Sequence, residues 1–266
     1  MDVVAVLAAY DVQLRRDVSP GPTSVVERQD GITREVGSDG TWGAVLWSDL
    51  DEDTADAVIA GQAARFAGIE WEWKLHGHDR PADLPQRLRR AGLLPEPAET
   101  LLVADLREVD LEPVTPDGVR VVPVDDEAGV ATVLEVHRAV FGSVHPDTRA
   151  TLLRALELTP RPVEAVVAWA GSEPVCAGRV EFRPGTDFAS LWGGGTLPGW
   201  RGRGVFRTVV AHRLALARAR GVRYVHVDAT DASRPVLERL GFVRLTTTTP
   251  WIGRPRATIS DRAAER

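Results

Sequence analysis

The stretch LWGGGTLPGWRGRGVF, Leu191 to Phe206, carries six glycines. Glycine within regular structure costs roughly 0.5–1 kcal/mol relative to alanine, so a run this dense points to a need for bare backbone. Upstream, DFASL reads as a strand. Downstream, Phe206, Val210, Leu214 and Ala217 recur at helical spacing, predicting a helix from Gly202 to Arg220 with Gly221 as its C-terminal stop. The local order is therefore strand, glycine-rich turn, helix. Such a turn presents outward N–H groups and about half a positive charge at the helix start, which makes it an anion trap. Gly202 and Gly204 let a pyrophosphate approach the backbone, and Arg201 and Arg203 add charge. The G-x-G alone is unspecific. The Gly-Lys-Ser/Thr ending of a nucleotide P-loop is absent, and Arg207 stands where a dinucleotide fingerprint has its third glycine.

The rest of the chain alternates strand and helix patterns. DVVAVLAAYDVQLRR has helical spacing, and TSVVERQDGITREVG reads as a hairpin turning at Asp30-Gly31. TWGAVLWSDL is a strand, DEDTADAVIAGQAARFAG a helix ending at Gly68, IEWEWKLHG an alternating strand, PADLPQRLRRAGLL a short helix and ETLLVADL a strand. The proline-rich EPVTPDG (112–118) marks a boundary between a domain at 1–112 and one at 113–266. The second begins with strand VRVVPV, helix DEAGVATVLEVHRAVFG and a helix over 146–158. A hairpin follows, turning at Gly171-Ser172. After the glycine turn come strand VRYVHVDAT, a short helix with Ser233 as N-cap and Pro235 in its first turn, strand FVRLTTTTPWI and a polar tail.

Composition bounds the function classes. Net charge is −6, split as −11 over residues 1–112 (11 Lys and Arg against 22 Asp and Glu) and +5 over 113–266 (21 against 16). Such asymmetry fits an anionic ligand on the basic half, or attraction between the halves. Basic residues do not interleave with aromatics, so no nucleic acid is expected. No stretch approaches the ~20 apolar residues of a membrane span, and residues 1–12 lack a basic leader. A cytoplasmic monomer or homodimer is the expectation. One cysteine, Cys176, excludes an internal disulfide and reads as buried filler. His76-Gly77-His78 has no second ligand cluster, so no metal is expected.

The wider constellation TLPGWRGRGVF…VVAHRLALARARGVRYVHVDAT…SRPVLERLGF resembles the GNAT-type N-acetyltransferases. There an Arg/Gln-x-x-Gly-x-Gly/Ala turn opens the central helix, with a proline upstream, as Pro198 is here. A strand, a short helix and Leu-Gly-Phe follow, here Leu240-Gly241-Phe242. The resemblance follows the element order through most of 117–250. It implies an α/β (α+β) fold: a mixed, mostly antiparallel, twisted sheet with splayed central strands and flanking helices. It also implies acetyl-CoA as co-substrate, held by Gly195, Thr196, Leu197, Arg201, Gly202, Arg203, Gly204, Val205 and Phe206, with Ser233 bonding the cofactor or capping its helix. Gly193-Gly194-Gly195 would keep side chains out of the pantetheine cleft or form a β-bulge. The first half looks like a shrunken second copy, with Ala91-Gly92-Leu93 in place of Leu-Gly-Phe and no Arg-x-x-Gly turn. The chain thus resembles a tandem member with a degenerate N-terminal half.

The implied reaction is acyl transfer from the thioester to a primary amine of a small molecule or peptide, by direct attack in a ternary complex. Two departures stand out. The tyrosine many members use as thiolate acid is Leu237 here, and the strand Ala189–Trp192 lacks their glutamate. Phe206 replaces the last small residue of the turn, and its bulk would narrow the pocket. Candidates for proton handling are Asp228, on one strand face with Tyr224 and His226, and Glu181 on the neighbouring strand. Asp228 reads equally as a loop cap, His226 as a packed strand histidine and Glu181 as a surface charge. An acyl-CoA-binding regulatory module without turnover is the alternative. A partner-docking role for the acidic half is a third reading.

Overall fold

The computed structural model describes residues 1–109, 115–145 and 147–255. Its elements, in chain order, begin with α1 (Val3–Tyr10), continued by a π-helical stretch (Asp11–Arg16). Then come β1 (Ser24–Gln29), β2 (Ile32–Gly37), β3 (Gly43–Ser48), α2 (Ala55–Arg65), β4 (Trp71–His76), α3 (Leu84–Arg90), β5 (Leu94–Pro95) and β6 (Glu99–Asp105). There follow β7 (Val119–Pro123), α4 (Glu127–Phe141), α5 (Thr148–Leu156), β8 (Val163–Ala170), β9 (Glu173–Phe182) and β10 (Phe188–Thr196). After these come α6 (Val205–Ala219), β11 (Tyr224–Ala229), α7 (Arg234–Arg239) and β12 (Val243–Gly253). The mixed α/β fold, with mostly antiparallel strands, is the class expected.

The residues gather into two compact units that cut across the chain halves. One holds Met1–Leu14, Val18–Thr23 and Thr100–Leu245; the other holds Arg15–Asp17, Ser24–Glu99 and the chain from Thr246. The stretch read as a boundary lies partly outside the described residues, as do Pro146 and the tail from 256.

In the first unit the strand order is β7-β8-β9-β10-β11-β6. Every neighbouring pair is antiparallel except β10 and β11. Alternation along β8 decides which helix each residue meets. Val163, Ala165 and Val167 pack with Val130, Val133 and Leu134 of α4 and Leu152 of α5. Val166 and Ala168 face the other way, toward Val205 and Val209 of α6. Further along α6, Val210 and Leu214 pack on Val180, Leu191, Val225 and Leu237. Each such aliphatic side chain, fully buried, contributes roughly 1.5–3 kcal/mol. On the face away from α6, Val6 and Tyr10 of α1 close over Phe188 and Tyr224.

In the second unit β1, β2, β3 and β4 adjoin in that order, and Thr248–Gly253 of β12 pairs antiparallel with β4. Asp30 and Gly31 have φ of +53° and +72°, the left-handed pair that a tight two-residue hairpin turn requires. The core here is aromatic: Phe66 stacks on Trp71 at 5.1 Å, with Trp73, Trp251, Ile59, Leu84 and Leu88 around them.

Two local expectations change. The central helix begins at Val205, not Gly202, because Gly202 and Gly204 hold φ of +75° and +85° and cannot continue a right-handed helix. Ser233 occupies the N-cap position of α7 but makes no capping bond; its hydroxyl donates to the Thr230 carbonyl at 3.2 Å.

Candidate active site

The parallel pairing of β10 and β11 lasts three residues: Phe188 opposite Tyr224, Ala189 opposite Val225, Ser190 opposite His226. Beyond Ser190 and His226 that register ends. On its other side β10 continues against β9 with Ser190 opposite Glu181 and Trp192 opposite Arg179, then skips to Gly195 opposite Ala177. Gly193 and Gly194 thus form a β-bulge where β10 and β11 part. Glu181, Ser190 and His226 make one row across three strands at the vertex.

Each glycine of the triplet has a definite neighbour. A Cβ on Gly193 would lie 2.5 Å from His137 Cε1, and the φ there is +58°. A Cβ on Gly194 would lie 3.0 Å from Phe206 Cε2 and 3.1 Å from Arg213 Nη2. A Cβ on Gly195 would lie 2.7 Å from Val140 Cγ1 and 2.8 Å from Phe141 Cζ. The triplet therefore admits side chains of α4 on one face and α6 on the other, rather than only keeping the cleft clear. Phe206 sits partly buried against the α6-side core.

Past the bulge, the Thr196 hydroxyl donates to Cys176 Sγ at 3.1 Å, and the Leu197 N–H donates to the Val175 carbonyl at 2.9 Å. Any contact of Leu197 with a ligand must therefore use its carbonyl or side chain. Arg201 Nε donates back to the Thr196 carbonyl at 3.1 Å, holding the turn. The Arg203 guanidinium lies over the Trp200 ring at 4.8 Å. α6 then starts with no side-chain cap, and the first N–H groups of a helix have no acceptor within it. No atom of the described residues lies within 4 Å of a Cβ built on Gly202. Uncapped amides, open space beside exposed glycine and three arginines at 201, 203 and 207 suit an anionic diphosphate.

The remaining sequence candidates are placed as follows. Glu181 accepts from Arg179 Nε at 2.7 Å, both side chains being largely buried. Asp228 shares a face of β11 with Tyr224 and His226 by alternation and is paired in register with Leu101. His226 is buried edge-on to Tyr10 at 5.0 Å, a packed histidine. Leu237 is a core residue. Cys176 is buried, and desolvation lifts its thiol to about 11.

Two residues escaped the sequence reading. His137 of α4 is buried, and its Nε2 has no hydrogen-bond partner among the described residues. Burial, reinforced by Arg179, lowers its pKa to about 4, so the ring is neutral at ordinary pH. Arg213 of α6 is 1% exposed. Its Nε donates to the Val209 carbonyl at 3.2 Å, and its Nη1 to the carbonyls of Arg179 at 3.2 Å and Trp192 at 3.4 Å. The signal was present in both cases: each falls three and four residues from apolar positions on the buried face of its helix.

The second unit repeats the strand geometry. β3 and β4 run parallel from Gly43–Trp71 to Val45–Trp73, and β3 has its own irregularity against β2 at Leu46. Here Arg15 is the occupant. Its Nε donates to the Leu46 carbonyl at 2.9 Å, its Nη2 binds both Asp79 oxygens at 2.7 and 2.8 Å, and its guanidinium lies 4.9 Å from the Trp47 ring centre.

Comparison with known proteins agrees with this geometry. A family model described as the acetyltransferase (GNAT) family matches residues 130–242. No curated protein sequence matches the chain. Among solved structures, a GCN5-related N-acetyltransferase from Kribbella flavida is 15% identical with TM-score 0.69, covering 98% of each chain. A tandem GNAT protein from the clavulanic acid biosynthesis pathway is 15% identical with TM-score 0.61, over 91% of this chain and 86% of that one. A GCN5-related N-acetyltransferase from Sphaerobacter thermophilus is 12% identical with TM-score 0.62, over 88% and 85%. At these identities the neighbours establish the fold, one shared with GNAT acetyltransferases, and the family model matches the part of the chain over residues 130–242.

Proposed function

We propose that the chain transfers an acetyl group from acetyl-CoA to a primary amine of a small molecule or peptide, by direct attack in a ternary complex. The observation that carries this reading is the uncapped N-terminus of α6 behind Gly202 and Gly204, next to the point where β10 and β11 part. In this reading the diphosphate lies on the turn Arg201–Phe206. The pantetheine arm follows Gly195, Thr196 and Leu197, and Ser233 borders its thiol end. Amides of the bulge face the oxyanion, an effect typically worth a few kcal/mol. The amine approaches from the face carrying Glu181 and Asp228, opposite α6. The nitrogen attacks the carbonyl carbon, the C–S bond breaks, and the amine proton leaves through water or one of these carboxylates. A thiol-release assay with acetyl-CoA and a panel of amines tests the reading: turnover on one class is expected, and none on any class counts against it.

A reading without turnover draws on Leu237, a core residue where many members have an acid. Calorimetry with coenzyme A separates the two, since tight binding with no acetylation of any amine favours the binding module. For the second unit we propose that no coenzyme A is held, because no Arg-x-x-Gly turn opens its helix α2, which instead follows the acidic stretch Asp51-Glu52-Asp53. The expected stoichiometry is one coenzyme A per chain, and two would refute it.

A further inference from the structure

Arg213 is costly to bury. A guanidinium removed from water needs a partner charge or a full set of acceptors, and no carboxylate among the described residues bonds this one. Its partners are three backbone carbonyls. The chain also clears space for it from two strands: a Cβ at Gly178 would lie 2.8 Å from Arg213 Cζ and Nη1, and one at Gly194 would lie 3.1 Å from Nη2. The titratable or charged groups around it do not neutralise it. Cys176 on β9 is a thiol raised to about 11. Arg179 on β9 is a cation already bound by Glu181, and His137 on α4 is neutral. Burial lowers the Arg213 pKa to about 10, so the charge persists at neutral pH. Methionine or leucine would fill this apolar stripe at no electrostatic cost. The cation is held against Arg179 and Trp192, the last paired rung before the bulge.

We propose that Arg213 supplies a fixed positive field at the bulge that stabilises the anions formed in acyl transfer, first the oxyanion and then the departing thiolate. The inference rests on the acetyl-CoA reading above and deepens it. In the step concerned, the amine lone pair adds to the thioester carbon and the C=O π pair moves onto oxygen. When that pair re-forms C=O, the C–S bond breaks, its electrons leave on sulfur, and the ammonium proton passes to water. Both anions arise beside the bulge, and the field of Arg213 lowers the cost of each without a proton donor at Leu237. Arg213 acts at a distance, by its charge across the Trp192 carbonyl it bonds, so it is a positioning residue.

The test is the thiol pKa of bound coenzyme A, read from thiolate ultraviolet absorbance, in wild type, Arg213→Lys and Arg213→Gln. In wild type and the lysine variant the bound thiol should titrate at least one unit below the ordinary ~8.5. In the glutamine variant it should return to that value, with kcat at least tenfold lower and KM for acetyl-CoA little changed. Identical titration in wild type and Arg213→Gln overturns the inference, as does a lysine variant that behaves like the glutamine one. Should Arg213→Gln fail to fold, wild type decides, because an unshifted bound thiol overturns the inference by itself. Wild type that binds no coenzyme A removes the functional reading and this inference with it. Binding with an unshifted thiol removes this inference alone.

Discussion

Replacing Gly204 with alanine probes the turn proposed to hold the diphosphate while disturbing little else. A Cβ there would meet Pro116 Cγ at 3.6 Å and Arg207 Nη2 at 4.0 Å, which are ordinary contacts. The difficulty is the backbone, since φ is +85°. Left-handed backbone costs an L residue roughly 1–2 kcal/mol, a loss of about 2–8 °C in Tm for a domain of this size. The turn escapes that strain by rotating, and rotation carries the Val205 and Phe206 amides away from where a phosphate would sit. A hydrogen bond to a charged group contributes roughly 1.5–3 kcal/mol, so losing one weakens coenzyme A binding by about 10- to 150-fold. Valine, β-branched, should do more. Calorimetric titration and thermal melting measure both effects. Gly199→Ala is the control, because no atom of the described residues lies within 4 Å of its Cβ position. Affinity within twofold of wild type in Gly204→Ala, alongside a lowered Tm, would refute the idea that these amides grip the cofactor.

Three further outcomes are expected. Gly193→Ala and Gly195→Ala should each lose about 1–3 kcal/mol of stability in urea titrations, the first through His137 and a positive φ, the second through Val140 and Phe141. Gly199→Ala should lose less than about 0.5 kcal/mol. Arg15→Ala should cost about 3–5 kcal/mol, because it strands the buried Asp79 carboxylate, while leaving coenzyme A affinity unchanged; a matched drop in affinity would contradict the assignment of the cofactor to the other unit. For His137, the folded pKa near 4 lies below the ordinary 6.5. The unfolded chain therefore binds the extra proton between those values, and stability falls as pH drops from about 6.5 to 4. Melting curves of His137→Gln should show a shallower fall over that window than wild type.

What the sequence made legible follows a physical line. Strands and helices set by local periodicity were readable, and the glycine turn with them, because those patterns act over a few residues. The Asp30-Gly31 hairpin is the clearest case, since positive φ at both positions leaves few alternatives. The end of α6 was readable from Gly221 but its start was not. A helical stripe beginning at Phe206 does not reveal that Gly202 and Gly204 both turn left-handed. Ser233 looked like a cap from its position, yet a cap needs an extended backbone, and its φ and ψ of −90° and −31° are helical. The compact units escaped because they depend on pairing between distant segments: β11 with β6, and the end of β12 with β4. No local pattern encodes those partners. Arg213 and His137 were visible as polar residues on apolar faces, but which strand glycines they meet depends on register.

The two units meet one geometric demand with different arginines. In each, two parallel strands part after three paired residues and one of them carries an irregularity there. In each, a buried guanidinium bonds a carbonyl at or beside that irregularity, Arg15 at Leu46 and Arg213 at Trp192. The difference lies in charge balance. Arg15 has Asp79 at 2.7 Å, so the second unit neutralises its own cation and gains nothing electrostatic from an incoming anion. Among the described residues Arg213 bonds only carbonyls, so the first unit keeps an unbalanced charge that a bound anion would complement. A buried cation with a carboxylate can be exchanged with its partner for apolar residues at little cost, and Arg15→Met with Asp79→Leu should restore most of the stability lost in Arg15→Ala. The same exchange at Arg213 has no partner to remove, and its effect should appear in the titration of the bound thiol more than in the melting temperature. Equal behaviour of the two arginines in both measurements would remove the distinction between a closed copy and a working one.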